Sequence, residues 1–147
     1  MAIPADTAQH EEGGRTEPAG RLLRVIASLH TVVVFGQPVF AGVYLTGDFD
    51  GLRWHGQGAN VTTYFSYLQL AVAAVVWNRS RRSWPFFCTL AIVLAEFVQY
   101  FAGLQGALWL HLPLGVMTIA GIVTLTIALW RTSLPARTAR PKGAGDE

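Results

Sequence analysis

The chain has 147 residues, of which 52% are hydrophobic and 14% charged, with a formal net charge of +2. That length, less two polar tails, leaves room for one domain, and the charge is too modest to call for a nucleic-acid partner. The single cysteine, Cys88, excludes an intrachain disulfide and Cys-x-x-Cys redox chemistry, and its apolar flanks read as a small core residue.

Residues 1–20 are rich in Ala, Gly, Glu and Arg without apolar periodicity and are expected to be a disordered tail. A first apolar span covers about 22–45. It is too long for a signal-peptide core, and Glu11, Glu12 and Glu17 precede it, so it reads as a retained helix. Pro38 lies inside this span and should kink it, freeing the Val34 carbonyl for another partner. The segment that follows holds Asp48, Asp50, Arg53, Trp54 and His55, and its Gly56-Gln57-Gly58 run reads as turn chemistry. Further spans fall at about 60–77, 84–104 and 108–130, with Pro85 and Pro113 expected in first helical turns. Residues 132–147, punctuated by Pro135 and Pro141, read as a second disordered tail. Each span comes near the roughly 20 helical residues that cross a hydrocarbon core. None shows the charged face of a soluble helix, and membrane strands would be half as long and alternating. Residues 21–131 are thus predicted to form an all-α integral membrane four-helix bundle.

Charge predicts its orientation. Ten of 11 Lys and Arg residues lie before the first span, between the second and third, or after the fourth, and only Arg53 lies on the other side. Positive loops stay cytoplasmic, so both termini are expected inside, in a bacterial-type plasma membrane, with the His55 and His111 turns outside. All five tryptophans sit at span ends, as interfacial rings do.

Polar and small residues recur at helical spacing within each span. They are His30, Gln37, Ala41 and Tyr44; His55, Thr62, Ser66 and Gln69; Glu96, Gln99, Tyr100 and Gly103; His111, Gly115, Thr118 and Ile122. In lipid such stripes turn inward, and packing of helix on helix accounts for the Thr, Ser and Gly positions. Glu96 lies about 18 Å along the third helix from Trp84, where ionisation costs several kcal/mol unless the group is paired or wet. It reads either as a protonated acid hydrogen-bonded to Gln99 or Gln37, or as part of a proton or substrate path. His30 lies at a depth that makes it a partner for Glu96 if their helices touch.

Two stretches look like copies. Phe40-Ala41-Gly42 leads to Trp54-His55, and Phe101-Ala102-Gly103 leads to Trp109-Leu110-His111, so the bundle reads as two pseudo-repeated helical hairpins. This pairs the histidines at one membrane level. Either both are interfacial histidines wetted at the surface, or they are axial ligands of one heme held between facing helices. In the second reading Gly58 and Gly115 are small to let the porphyrin edge pass. A metal without porphyrin needs more ligands, and only Asp48 and Asp50 are near.

The histidines at the starts of helices two and four, in a bundle with both ends cytoplasmic, resemble one half of the heme A synthase fold. The chain is also similar to small uncharacterised four-helix bacterial membrane proteins with Gln and Ala-Gly in helix one and a His-x-x-x-Gly-like start to helix two. The resemblance covers about residues 22–130 and implies His55 and His111 as axial ligands. It departs from heme A synthase at Leu52, where that family carries a glutamate one turn before the histidine, and in lacking the extracytoplasmic cysteine pair. Methyl hydroxylation is therefore not expected. The expected function is binding of one b-type heme for electron transfer or heme handling, with the bilayer, a membrane redox partner or further copies of the chain as partners. Two alternatives stay open: a heme-free accessory or structural subunit, and a proton-coupled transporter using Glu96 and His30.

Overall fold

A computed structural model describes residues 18–134, and among them the chain forms four α-helices and no strand. These are α1 (Pro18–Leu45), α2 (Asp50–Ser80), α3 (Trp84–Leu104) and α4 (Leu108–Arg131). Even α3, the shortest at 21 residues, is about 31 Å long, enough for a bilayer core. All four are long and apolar enough to cross a membrane. Helix α1 packs on α2 and α4, and α3 packs on the same two, so the helices form a square whose diagonal partners meet only through central side chains.

Polar side chains are buried at mid-bundle while large apolar ones face outward. His30, Gln37, Thr62, Ser66, Gln69, Thr89 and Thr118 are buried, while Val32, Val39, Tyr64, Val116 and Met117 are each at least 61% exposed. An apolar surface around a polar centre suits lipid as solvent. The aliphatic core lies toward one end, where Leu23, Ala73, Val76, Ile122 and Leu129 are almost fully enclosed. Arg21, Arg24, Arg79, Arg81, Arg82 and Arg131 lie at helix termini of this same end, hereafter the arginine end. Arg24 fastens it: its guanidinium donates to the Leu129 and Thr132 carbonyls (2.8 and 2.7 Å) and lies over the Trp130 ring. It thereby serves carbonyls that the end of α4 leaves without helical donors.

The opposite, hairpin end carries the α1–α2 and α3–α4 turns. Gly47 and Gly106 take positive φ there (+96° and +68°), which glycine adopts without steric cost. Gly51 is needed for proximity: a Cβ would strike the backbone of Phe40 and Tyr44 in the last turn of α1. At the arginine end, by contrast, Arg81 occupies the left-handed position that closes α2 (φ 58°), its amide bonded to Trp77 O at 2.9 Å. The αL conformation costs a side-chain-bearing residue roughly 1–2 kcal/mol. Arg81→Gly is therefore expected to raise stability by about 1 kcal/mol, read as a higher midpoint of detergent-solubilised unfolding.

Three sequence expectations need correction. The apolar pattern puts the second span at 60–77, but α2 starts ten residues earlier, so Gly56 and Gly58 are helical and the turn is only Thr46 to Phe49. Polar residues hid this start, because the helix continues beyond its apolar stretch, and the turn is closed by Gly47 and by Asp48 Oδ1 accepting the Asp50 amide at 2.9 Å. Pro113 is the sixth residue of α4, past the first turn, so its missing N–H leaves Trp109 O without its i+4 donor. The tails expected at 1–20 and 132–147 overlap ordered structure: Pro18 opens α1, as proline at a first helical position does, and Leu134 is fully buried. Residues 1–17 and 135–147 lie outside the described residues.

Candidate functional site

At the hairpin end α2 and α4 bring His55 and His111 together across the diagonal of the square. Their ring centroids are 5.9 Å apart with planes at 74°. Each ring is held from a neighbouring helix in the same way. His55 Nδ1 donates to the Gln37 carbonyl of α1 at 3.1 Å, and His111 Nδ1 donates to the Gln99 carbonyl of α3 at 2.9 Å. A carbonyl can only accept, so both Nδ1 atoms carry hydrogen, and each neutral ring keeps its lone pair on Nε2. A backbone acceptor on Nδ1 is the usual outer partner of a metal-ligating imidazole. Near Pro38 the backbone acceptor recruited across helices is thus Gln37, beside the proline, whereas the sequence pointed to Val34.

Three glycines shape this end. A Cβ on Gly103 would sit 3.0 Å from the His111 ring, one on Gly115 would sit 3.0 Å from Gln99 Nε2, and one on Gly58 would overlap the Gln37 side-chain amide. What passes Gly58 and Gly115 in this structure is therefore a pair of glutamine side chains. Gln37 Nε2 is buried without a hydrogen-bond partner, as is Thr62 Oγ1. A cavity of about 120 Å³ lies between the histidines and the glutamines, and a smaller one of about 60 Å³ continues toward Thr62 and Glu96. Both are lined by Gln37, Gln99, His111 and Gly115.

Below this chamber lies a second polar cluster. His30 Nε2 of α1 approaches Glu96 Oε1 of α3 at 3.1 Å across the other diagonal, and the two side chains are 1% and 11% exposed. The contact is an ion-pair approach, for Oε1 accepts no aligned hydrogen bond. Glu96 Oε2 accepts from the Ser66 hydroxyl, which also lies 3.3 Å from His30 Nε2. On the other side of the ring, Nδ1 lies 3.0 Å from Gln69 Oε1, and Gln69 Nε2 reaches Thr89 Oγ1 at 3.5 Å. Thr89 donates in turn to Pro85 O, in the first turn of α3 at the arginine end. The ring and the carboxyl thus face one another in a low-dielectric interior, where each reduces the cost of burying the other.

The structure thus brings His55 to His111 and His30 to Glu96. It does not bond Glu96 to Gln37 or Gln99, the acceptors and donors considered from sequence; Ser66 takes that place. Sequence reasoning assigns Ser66 to helix packing, gives Gln69 only its place in an inward stripe, and does not single out Thr89. The signal for Ser66 and Gln69 is the i, i+4, i+7 spacing of Thr62, Ser66 and Gln69 on one face of α2. Asp48 and Asp50 are turned to local work, Asp50 pairing with Arg53 at 3.2 Å. Cys88, expected as a small core residue, is instead exposed on α3, because its apolar flanks belong to a surface that is itself apolar.

Compared with family models, with curated proteins and with solved structures, the chain matches none. The site must therefore be judged on its own chemistry. Among the described residues no three His, Cys, Asp or Glu side chains cluster as a set of metal ligands. A bare ion asks for three or four protein ligands, whereas heme iron asks for two, since the macrocycle supplies the rest. Two imidazoles on opposite sides of one metal, each bonded through nitrogen at about 2 Å, put their centroids roughly 6 Å apart. Two imidazoles are the number of protein ligands that heme iron asks for. Space is the remaining condition, because a cavity of about 120 Å³ admits a macrocycle only when Gln37 and Gln99 swing off Gly58 and Gly115.

Proposed function

We propose that this protein is a small polytopic membrane protein that holds one b-type heme between His55 and His111. The observation that carries the reading is the matched pair of imidazoles, each with Nδ1 committed to a backbone carbonyl and Nε2 left free. A bis-histidine heme supplies reversible one-electron transfer at iron. The chain's own contribution is to fix both ring tautomers, to present the rings from facing helices, and to line the chamber beside them with Gln37, Gln99 and Gly115. Gln37 Nε2, now without a partner, is a donor available to a polar edge of the ligand.

In the same reading the two hairpins are pseudo-repeats, with Gln37, His55 and Gly58 in the first answered by Gln99, His111 and Gly115 in the second. The arginine end is cytoplasmic, following the distribution of positive charge, in a bacterial-type plasma membrane. The heme then lies near the outer face, where it serves electron transfer to a membrane redox partner or heme handling. A heme-free accessory subunit would also use a polar core, but would not need both Nε2 atoms kept free at one level. A proton-coupled transporter is favoured by a different observation, the contact of His30 with Glu96 deep in the bundle.

Hemin titration of protein purified without heme tests the proposal. The Soret absorbance is expected to saturate at one equivalent per chain, and the His55→Ala/His111→Ala double variant is expected to show no saturable component. Equal uptake by the double variant would overturn it.

A further inference from the structure

Four exposed arginines ring the arginine end. Arg21 lies in the first turn of α1, Arg81 closes α2, Arg82 lies in the link to α3, and Arg131 ends α4. Among the described residues their guanidinium groups have no hydrogen-bond or ion-pair partner, and the acids Asp48, Asp50 and Glu96 all lie away from this end. The described bundle therefore leaves the positive charge of this rim uncompensated. Arg81 adds a separate observation. It holds φ at 58°, where glycine would be the more stable residue. The fold keeps a guanidinium at a strained position that stability does not require, and strain of this kind marks a residue with other work to do.

The position of the rim selects its partner. It borders apolar surface: Leu22 beside Arg21 and Trp130 beside Arg131 are 50% and 56% exposed, and Phe87 in the first turn of α3 is 53% exposed. A soluble anion or an acidic protein would use the cations and leave the apolar border unused, whereas a phospholipid presents a phosphate to the first and acyl chains to the second. Phosphate also matches the planar donor fork of arginine, which it accepts in two parallel hydrogen bonds. We propose that the arginine end binds phospholipids of net negative charge, chiefly through Arg81 and Arg82, with their acyl chains against the apolar surface that begins at Leu22, Phe87 and Trp130. A zwitterionic headgroup brings its own cation to the rim and is held less well. Such a preference is a property of the folded rim, distinct from the insertion rule that orients the chain. The surface is also independent of the heme reading, since none of these residues lines the histidine chamber.

The test is quenching of tryptophan fluorescence by phospholipids brominated on their acyl chains, in the full chain carrying Trp54→Phe and Trp109→Phe. Those substitutions silence the hairpin end and leave Trp77, Trp84 and Trp130 to report on the arginine end. In phosphatidylcholine vesicles, brominated phosphatidylglycerol is expected to associate about fivefold more strongly than brominated phosphatidylcholine. Arg81→Gln/Arg82→Gln is expected to bring this ratio close to one. Arg81→Lys/Arg82→Lys is expected to retain most of it, which separates charge from fold. Arg53→Gln, which removes one cation from the opposite end, is expected to leave the ratio unchanged. So is the addition of His55→Ala/His111→Ala, whatever heme that variant holds. A ratio of one in the parent, or an undiminished ratio in Arg81→Gln/Arg82→Gln, would overturn the proposal. Loss of the preference on adding inorganic phosphate at constant ionic strength would also overturn it, by identifying a site for the free anion.

Discussion

Replacing His30 by alanine is expected to destabilise the bundle by about 3–5 kcal/mol, because it strands the Glu96 carboxyl in the interior without its partner. The comparison that isolates the cause is with Glu96→Gln, which keeps a hydrogen-bond acceptor for Ser66 and removes the charge. That change is expected to cost only about 1 kcal/mol, the ordinary value of one neutral hydrogen bond. Combining the two should recover most of the loss seen for His30→Ala, since an uncharged side chain no longer needs the imidazole. Unfolding in mixed detergent, followed by helical circular dichroism, measures all three. A His30→Ala protein as stable as the parent would mean that the 3.1 Å contact contributes nothing, and that water already serves the carboxyl.

The second large effect concerns the hairpin end. Removing one imidazole, in His55→Ala or in His111→Ala, is expected to leave heme bound through the remaining ring, but five-coordinate and high-spin. Removing both is expected to lower retained heme at least tenfold. The two single variants should behave alike, because each ring has the same kind of support, one backbone carbonyl of a neighbouring helix on Nδ1. Pyridine hemochrome content and the spin-state bands of the ferric protein check this. Loss of heme in one variant with no change in the other would show that a single histidine is the ligand.

Much of the bundle was legible because lipid imposes a simple rule on sequence. The α3 limits agree with the apolar run, and α4 extends one residue beyond its run, because both helices are about as long as the membrane core is thick. The start of α2 was not legible. Residues 50–59 carry Asp50, Arg53, Gln57 and three glycines, a composition that spells a loop in water, yet they continue a helix whose hydrogen bonds are satisfied locally. The site was legible in its residues but not in its pairing. His55 and His111 announced each other by context, and His30 and Glu96 by depth. That both pairs lie on diagonals follows from the square packing, which no single span encodes. The role of Ser66 and Gln69 needed three dimensions, since hydroxyl and amide groups on a membrane helix serve packing and polar networks alike, and only their neighbours decide.

The most direct measurement is a reduced-minus-oxidised visible spectrum of membranes containing the native chain, set against membranes containing the His55→Ala/His111→Ala variant at matched expression. A sharp b-type α-band in the first and none in the second is the predicted result. A well-folded native protein that shows no such band under heme-replete expression would contradict the proposed function.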